Sequence, residues 1–385
     1  MLRLLTAGES HGPGLTVIVD GLPAGLPVSG AAIDRDLRRR QGGYGRGGRQ
    51  KIERDHAEIT SGVRGGHTLG SPVTLHIVNR DWENWRRPMQ VEARGFTSKR
   101  VTRVRPGHAD LAGVLKYGFD DARNVLERAS ARETAARVAA GALAKALLRP
   151  AGVTVHSYTT RIGPCALEAP AGAPVAWDLV EASPVRCPDA DLSQAMVAAI
   201  DAARERGDTL GGCFQVIAAG VPPGLGSYRQ WDTRLDGLLA QALCSIQGVK
   251  GVELGTGFTA AAQPGSAVHD EPRWDPAGRR FFHRTNRAGG LTGGVTTGEP
   301  VWCTVAVKPI STLLRPLRSV DLATKAEVNA HYERSDICVV PATGVVGEAM
   351  VAWVLAGAFV EKFGGDGWAE TRRNWRAYLA GLRRR

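Results

Sequence analysis

Between Ser130 and Pro150 the sequence writes a helix of small residues, and that stretch constrains the fold more than any other. Ala135, Val138, Ala139, Ala142, Leu143, Ala146 and Leu147 recur at helical spacing and define one apolar face. Side chains this small let neighbouring elements approach closely, so the face predicts burial at the centre of the molecule. Ser130 and Glu133 stand at capping-box spacing at its start. Pro150 follows its end, where helices usually stop. Arg128 and Arg132 flank the N-terminus. Free N–H groups and guanidinium groups there would face the same way and form an anion seat. The same local pattern also fits a capped surface helix with solvated arginines.

The residues just upstream carry chemistry. Arg105-Pro106-Gly107-His108-Ala109-Asp110 reads as a rigid turn that presents His108, with Asp110 opening a short helix. A loop with Asp120, Asp121 and Arg123 leads on to Ser130. At the N-terminus, a strand over Leu2–Thr6 and another over Leu15–Val19 enclose Gly8-Glu9-Ser10-His11-Gly12-Pro13-Gly14. That places Glu9, Ser10 and His11 at a loop tip, where glycines admit a ligand close to the backbone.

A helix from Gly30 to Arg40 runs into Gln41-Gly42-Gly43-Tyr44-Gly45-Arg46-Gly47-Gly48-Arg49, a flexible cationic loop. The loop fits arginines that close on a phosphate-bearing ligand. With one aromatic residue, Tyr44, it lacks the interleaved stacking platforms of an RNA-binding tract. Lys51–Val63 predicts a strand pair. Ser71–Val78 alternates Val73, Leu75 and Ile77 with polar residues, as a half-buried strand does. Trp82, Trp85 and Pro88 are read as packing. Strands near Val153–Tyr158 and Cys213–Ala219 bracket a helix over Asp189–Arg206. Another helix covers Leu235 to Ile246 and ends near Gln247-Gly248. A second glycine-rich loop spans Arg284–Gly298 and includes Gly293. It matches neither the P-loop nor the dinucleotide fingerprint. The strand Val301–Val307 delivers Lys308-Pro309-Ile310-Ser311-Thr312. Arg334-Ser335-Asp336 precedes an apolar helix over about Gly347–Phe363, and a basic tail covers 372–385.

The net charge of +11 asks for a negative partner: nucleic acid, a membrane surface or a small polyanion. The six cysteines are scattered without metal-ligand spacing, so no metal site is expected and a reducing cytoplasm is favoured. No apolar run approaches the ~20 residues of a membrane span, and the N-terminus lacks a signal peptide. Strands outnumber what a βαβ alternation would give, and no linker or repeat divides the chain. The sequence therefore predicts one large α+β domain over residues 1–385.

Gly8–Gly12, Arg40–Gly48, Arg105–Asp110, Ser130–Thr134 and Arg334–Asp336 occur together in the order found in chorismate synthases, and the chain resembles that family over nearly its whole length. The resemblance implies helices sandwiched between two antiparallel sheets, a homotetramer, and 1,4-elimination of phosphate from 5-enolpyruvylshikimate 3-phosphate. It implies reduced FMN as cofactor without net redox change. His11 then resembles the acid that assists phosphate departure, and His108 the histidine facing reduced flavin. Asp336 resembles the carboxylate that helps remove the ring proton. Arg40 and Arg46 match positions for phosphate or NADPH. Arg128, Ala129, Ser130, Gln247, Gly248, Gly293, Lys308, Pro309, Ile310, Ser311, Thr312 and Arg334 match FMN-contacting positions.

The chain departs from the family pattern at Ala129, where serine is common, and at Gln247-Gly248, where Asn-Ala is common. Contacts made there by backbone groups survive those exchanges, whereas contacts through a hydroxyl or amide do not. Fungal insertions that reduce flavin are lacking, so an external flavin reductase is implied, with NADPH as indirect reductant. Two other classes compete: a flavin- or NADPH-dependent oxidoreductase, and a nucleic-acid-binding protein. The second leaves His11, His108 and Asp336 without a role and has no RNP-like aromatic pair.

Overall fold

Alternation of apolar and polar residues builds two antiparallel sheets. A computed structural model describes residues 1–48, 52–92, 98–168, 174–333 and 336–384. Strands β1 (Arg3–Ala7) and β2 (Gly14–Asp20) form the hairpin expected around the His11 loop. After helix α1 (Gly30–Gln41) come β3 (Glu58–Ser61) and β4 (Val73–Val78). The first sheet has the order β1-β2-β4-β3. Leu15, Val17 and Val19 on β2, and Val73, Leu75 and Ile77 on β4, point into the core, while Ile18 between them is exposed.

Three helices follow: α2 (Asp110–Tyr117), α3 (Arg123–Ala129) and α4 (Thr134–Leu148). Strands β5 (Thr154–Ile162), β6 (Cys165–Ala166), β7 (Gly212–Ala219), β8 (Val249–Leu254) and β9 (Val301–Val307) make the second sheet, in the order β8-β9-β7-β5-β6. The remaining long helices are α5 (Ala190–Glu205), α6 (Leu235–Cys244), α7 (Val340–Phe363) and α8 (Trp368–Leu382).

The small-residue face of α4 is buried as expected. Ala135, Val138, Ala139, Leu143 and Leu147 are each 0–1% exposed. Helix α4 packs on β1, β2 and β4 on one side and on α7 on the other, and α7 in turn covers β5 and β7. At the crossing, a Cβ added to Gly141 would come within 2.3 Å of the Ala349 Cβ, so the two helices touch backbone to backbone. One continuous apolar cluster runs from Leu15 through α4 and α7 to the second sheet.

Some local expectations change. Ser130 accepts from the Arg132 N–H at 3.2 Å, and Glu133 turns away to Thr6, Arg137 and Gln247, so the capping box does not close. A single turn of 3₁₀ helix over Ala131–Glu133 intervenes before α4. The predicted strand pair over Lys51–Val63 reduces to β3 and the two-residue strand Val63–Arg64 among the described residues. Helix α7 starts at Val340, well before Gly347, because Pro341 sits in its first turn, where a missing N–H costs nothing. At 24 residues α7 is long and apolar enough to span a membrane, contrary to the expectation that no such stretch exists, but it is mostly buried by α4 and the second sheet. The basic tail is helical: Trp368 at the start of α8 is buried against the core.

Candidate functional site

The turn that presents His108 forms as the local sequence dictates. The Arg105 carbonyl accepts from the His108 N–H at 3.2 Å, with Pro106 and Gly107 at the two corners and Gly107 at φ +75°. Proline at the first corner and a positive φ at the second make a type II turn. The Lys308 ammonium donates to the Gly107 carbonyl at 2.7 Å, which ties the end of β9 to this turn. His108 Nδ1 lies 2.5 Å from the Asp110 carboxylate. Asp110 is fully buried and also accepts from the Arg105 guanidinium and backbone N–H. Burial pushes the Asp110 carboxyl upward, but the bonds from His108 and Arg105 overcome it and hold the group well below the usual range.

The His11 loop is fixed from beneath. Asn79, just past β4, donates to the Glu9 and Gly12 carbonyls. From α3, the Glu127 carbonyl accepts from the Ser10 N–H and the Glu127 carboxylate from the His11 N–H, both at 2.8 Å. His11 Nδ1 meets the same carboxylate at 2.8 Å. Trp85 stacks on the imidazole with 3.8 Å between ring centroids. Ser10 donates to the Ser130 hydroxyl at 3.1 Å.

The arginine–glycine loop is held more firmly than the sequence suggested. Tyr44 bonds to Asp201, and Gly45 accepts from the Ile337 N–H at 2.7 Å. The Gly47 N–H donates to Asp336 at 2.5 Å, and the Arg46 guanidinium lies 3.3 Å from the same carboxylate. Arg40 is buried, not loose: it donates to Thr134 and the Ala131 carbonyl at 2.9 Å and pairs with Asp55 at 3.4 Å. Arg132 reaches Asp55 from the other side at 2.5 Å. Burial pulls the Arg40 guanidinium down to about 9; Asp55 opposes that, while the positive charges of Arg132 and Arg46 add to it. Glu53 lies 3.7 Å from Arg132 as well, so Arg40, Arg46 and Arg132 share the carboxylates of Glu53, Asp55 and Asp336.

These pieces enclose one pocket of about 950 Å³. His11, His108 and Asp336, more than 200 residues apart in sequence at the extremes, all line it. So do Arg40, Arg46, Ala129, Ser130, Gln247, Gly248 and the run Lys308 to Thr312. Burial and the positive charge of Lys250 both lower the Lys308 ammonium. Two expected positions lie elsewhere. Arg128 turns outward to the Thr6 and Gly8 carbonyls, and Gly293 sits in a hairpin beside Tyr228. Arg334 lies outside the described residues.

The sequence reading gave no role to Arg105, Lys99 and Trp85 on the pocket wall, while Arg132, read there as part of an anion seat, does line it. Arg132 was legible as a helix-end cation. Trp85 had no local signal, because its partners His11, Lys99 and Arg123 converge only in the fold. A more open apolar hollow of about 560 Å³ lies along the Pro106-Gly107 turn and shares Arg105, Gly107 and His108 with the main pocket. No cluster able to hold a metal ion occurs among the described residues.

Fold and site together define an α+β protein whose cavity sets buried guanidinium groups beside two carboxylate-backed histidines. The profile of the family described as chorismate synthase matches residues 2–360. Chorismate synthase of Symbiobacterium thermophilum is 57% identical over 394 residues, covering 100% of both chains. That of Moorella thermoacetica is 59% identical over 366 residues, covering 95% of each. A crystal structure of a chorismate synthase superposes with a TM-score of 0.81 at 42% identity, covering 100% of this chain and 99% of that one. The chain belongs to the chorismate synthase family, the phosphate lyases of the shikimate pathway in aromatic amino acid biosynthesis.

Proposed function

We propose that the pocket holds reduced FMN against 5-enolpyruvylshikimate 3-phosphate and carries out the 1,4-elimination that gives chorismate and phosphate. The observation that carries this reading is the convergence of His11, His108 and Asp336 on one cation-lined cavity. Its volume lies within the range of roughly 300–1,000 Å³ common for small-molecule sites. The residues present fit a flavin phosphate and a polyanionic substrate. The Nε of Arg46, the Nη2 of Arg132 and the Oε1 of Gln247 are buried without a hydrogen-bond partner among the described residues, and all three residues line the cavity. Buried polar atoms in this condition call for a ligand.

Ala129, Ser130, Gln247, Gly248, the run Lys308 to Thr312 and Arg334 would hold FMN. The Gln247 amide already donates to Glu133 at 3.1 Å, which leaves its carbonyl oxygen for the ligand. Bound reduced FMN would supply transient electron density to a reaction with no net redox change. Arg40, Arg46 and Arg132 neutralise the phosphate and carboxylates. His11 gives a proton to the phosphate oxygen as its C–O bond breaks. Asp336 assists removal of the ring proton, whose C–H electron pair enters the new diene. His108, with Asp110 behind it, faces the flavin. The long helices α4 and α7 form the filling of a sandwich between the two sheets, in a single domain that assembles as a homotetramer in the cytoplasm. Reduced FMN comes from an external reductase that draws on NADPH.

Anaerobic incubation with reduced FMN and the enolpyruvyl substrate tests the reading. Phosphate and chorismate should form in equal amounts while the flavin stays reduced. One flavin oxidised per turnover would instead establish an oxidoreductase, and no phosphate release would remove the lyase reading.

A further inference from the structure

Glu127 is the residue against which His11 is built, yet neither motif spacing nor the acid–base roles above assign it anything. The carboxylate is 3% exposed and sits on α3, seven residues before Thr134 opens α4. Both of its oxygens are spent on the histidine: Oε2 accepts from the His11 backbone N–H, and Oε1 lies 2.8 Å from Nδ1. Arg123, one turn earlier on the same helix, approaches Oε1 at 3.3 Å and bridges to Glu333 at 2.9 Å. Trp85 covers one face of the imidazole. The ring therefore has no freedom to turn over. Burial alone would raise the Glu127 carboxyl, but its bonds to His11 and the Arg123 charge hold it below the usual range, so it stays an anion.

We propose that Glu127 is a positioning residue for phosphate elimination: it fixes His11 with the proton on Nδ1, so that Nε2 is the pole that hands a proton to the leaving phosphate. A carboxylate that orients one imidazole nitrogen sets which tautomer the other nitrogen presents. When the C–O bond breaks, the bonding pair leaves with the phosphate oxygen, which takes the Nε2 proton. His11 enters the step with a proton on each ring nitrogen; the Nδ1 proton stays in the bond to Glu127, so the ring ends neutral and takes a proton from solvent at Nε2 before the next turnover. Arg123 keeps Glu127 from taking the Nδ1 proton, because a protonated Glu127 would leave that guanidinium with a weaker partner. The proposal rests on the reading of His11 as the acid.

The test combines three variants in the full-length, FMN-loaded enzyme: Glu127→Gln, His11→Asn and the pair together. Glu127→Gln keeps the shape but offers one acceptor where two are needed. It should lower kcat by roughly 10²–10⁴-fold, the span associated with a misplaced general acid or a wrong tautomer. KM and FMN affinity should stay within about threefold, since the Glu127 carboxylate touches the pocket directly at His11 and otherwise only by way of Arg123. Adding Glu127→Gln to His11→Asn should cost almost nothing more, because residues that act as a unit are not additive. In ¹⁵N-histidine NMR of the unliganded protein, the His11 resonances should report an Nδ1-protonated ring that is lost in Glu127→Gln.

Full kcat in Glu127→Gln, a further loss of the same size in the double variant, or an unchanged His11 tautomer would each overturn the proposal. If His11→Asn itself keeps full activity, the reading of His11 as the acid fails instead, and the two failures are distinct. A melting temperature for each variant separates lost chemistry from lost folding. Should Glu127→Gln not fold, Arg123→Lys tests the same dyad: it loosens the clamp on Glu127, and it must lower kcat without raising KM for the proposal to stand.

Discussion

Each histidine in the pocket has its own buried carboxylate, and the two pairs are built differently. Glu127 reaches His11 from a helix more than a hundred residues away, so that pair depends on the whole fold. Asp110 reaches His108 from two residues on, within a turn that Pro106 and Gly107 preset. The second pair also contains Arg105, whose Nε and Nη2 both donate to Asp110. Removing the His108 ring thus leaves Asp110 paired, and the turn should survive. His108→Ala should lower kcat by roughly 10²–10⁴-fold while melting within a few degrees of the parent. Asp336→Asn retains an acceptor for the Gly47 N–H but loses the charge, and should show a similar fall in kcat. Steady-state assays under anaerobic conditions with saturating reduced FMN check both. Parental turnover in both variants would remove these two residues from the mechanism and leave the family membership untouched.

At the scale of elements, the sequence was most legible where one local rule acts alone. The alternation of Val301, Cys303, Val305 and Val307 put β9 in place to the residue, and Asp189 caps α5 by accepting from the Leu192 N–H. It was least legible where partners lie far apart. Helix α3 spans seven residues with charged side chains on several faces, and its purpose, to carry Glu127 to His11 and Arg123 to Glu333, has no local trace. The cationic loop was visible as arginines among glycines. That Arg40 would be buried between Asp55 and Thr134 was not, because burial of an arginine is decided by the anions brought to it.

The crossing of α4 and α7 was foreshadowed by the small-residue face, and it yields a quantitative test. Gly141→Ala gains about 1 kcal/mol of helix propensity, but its methyl meets the Ala349 Cβ at 2.3 Å and the Ala349 Cα at 2.5 Å. Both neighbours belong to a helix held on its far side by β5 and β7, so neither can yield cheaply. Overpacking of this kind costs typically 1–3 kcal/mol, and the backbone contact places this site at the upper end. Urea denaturation should therefore show Gly141→Ala destabilised by about 1–2 kcal/mol net. A stabilised variant would mean that the helices can separate without loss.

Helices α1, α4 and α7 and strand β5 are tied together by a buried charge cluster. Glu348, on α7 and fully buried, accepts from Arg39 on α1 at 2.7 and 2.8 Å and from Lys145 on α4 at 2.8 Å. It also accepts from the Ser157 N–H and hydroxyl on β5, with Arg186 at 3.3 Å. Burial would raise this carboxyl, but Lys145, Arg39 and Arg186 outweigh it and hold the group far below the ordinary range. A carboxylate depressed in the folded state contributes its full stability above its unfolded value, about 4.3 for glutamate. That contribution drains away as pH falls from there toward the folded value. Asp110, Glu127 and Glu333 are depressed as well and act with the same sign. Stability should therefore show no dependence on these groups between neutral pH and about 5, and should fall steadily below about 4.5. Glu348→Gln keeps the side-chain shape but leaves three cations facing a neutral amide. Breaking a buried pair in this way costs about 3–5 kcal/mol, so its stability at neutral pH should drop by that order. Its acid limb should also be shallower than the parent's, since one titrating group has gone. Urea melts of both proteins from pH 7 to pH 3 measure the two effects together, and parallel curves would show that Glu348 does not set the acid limit of the fold.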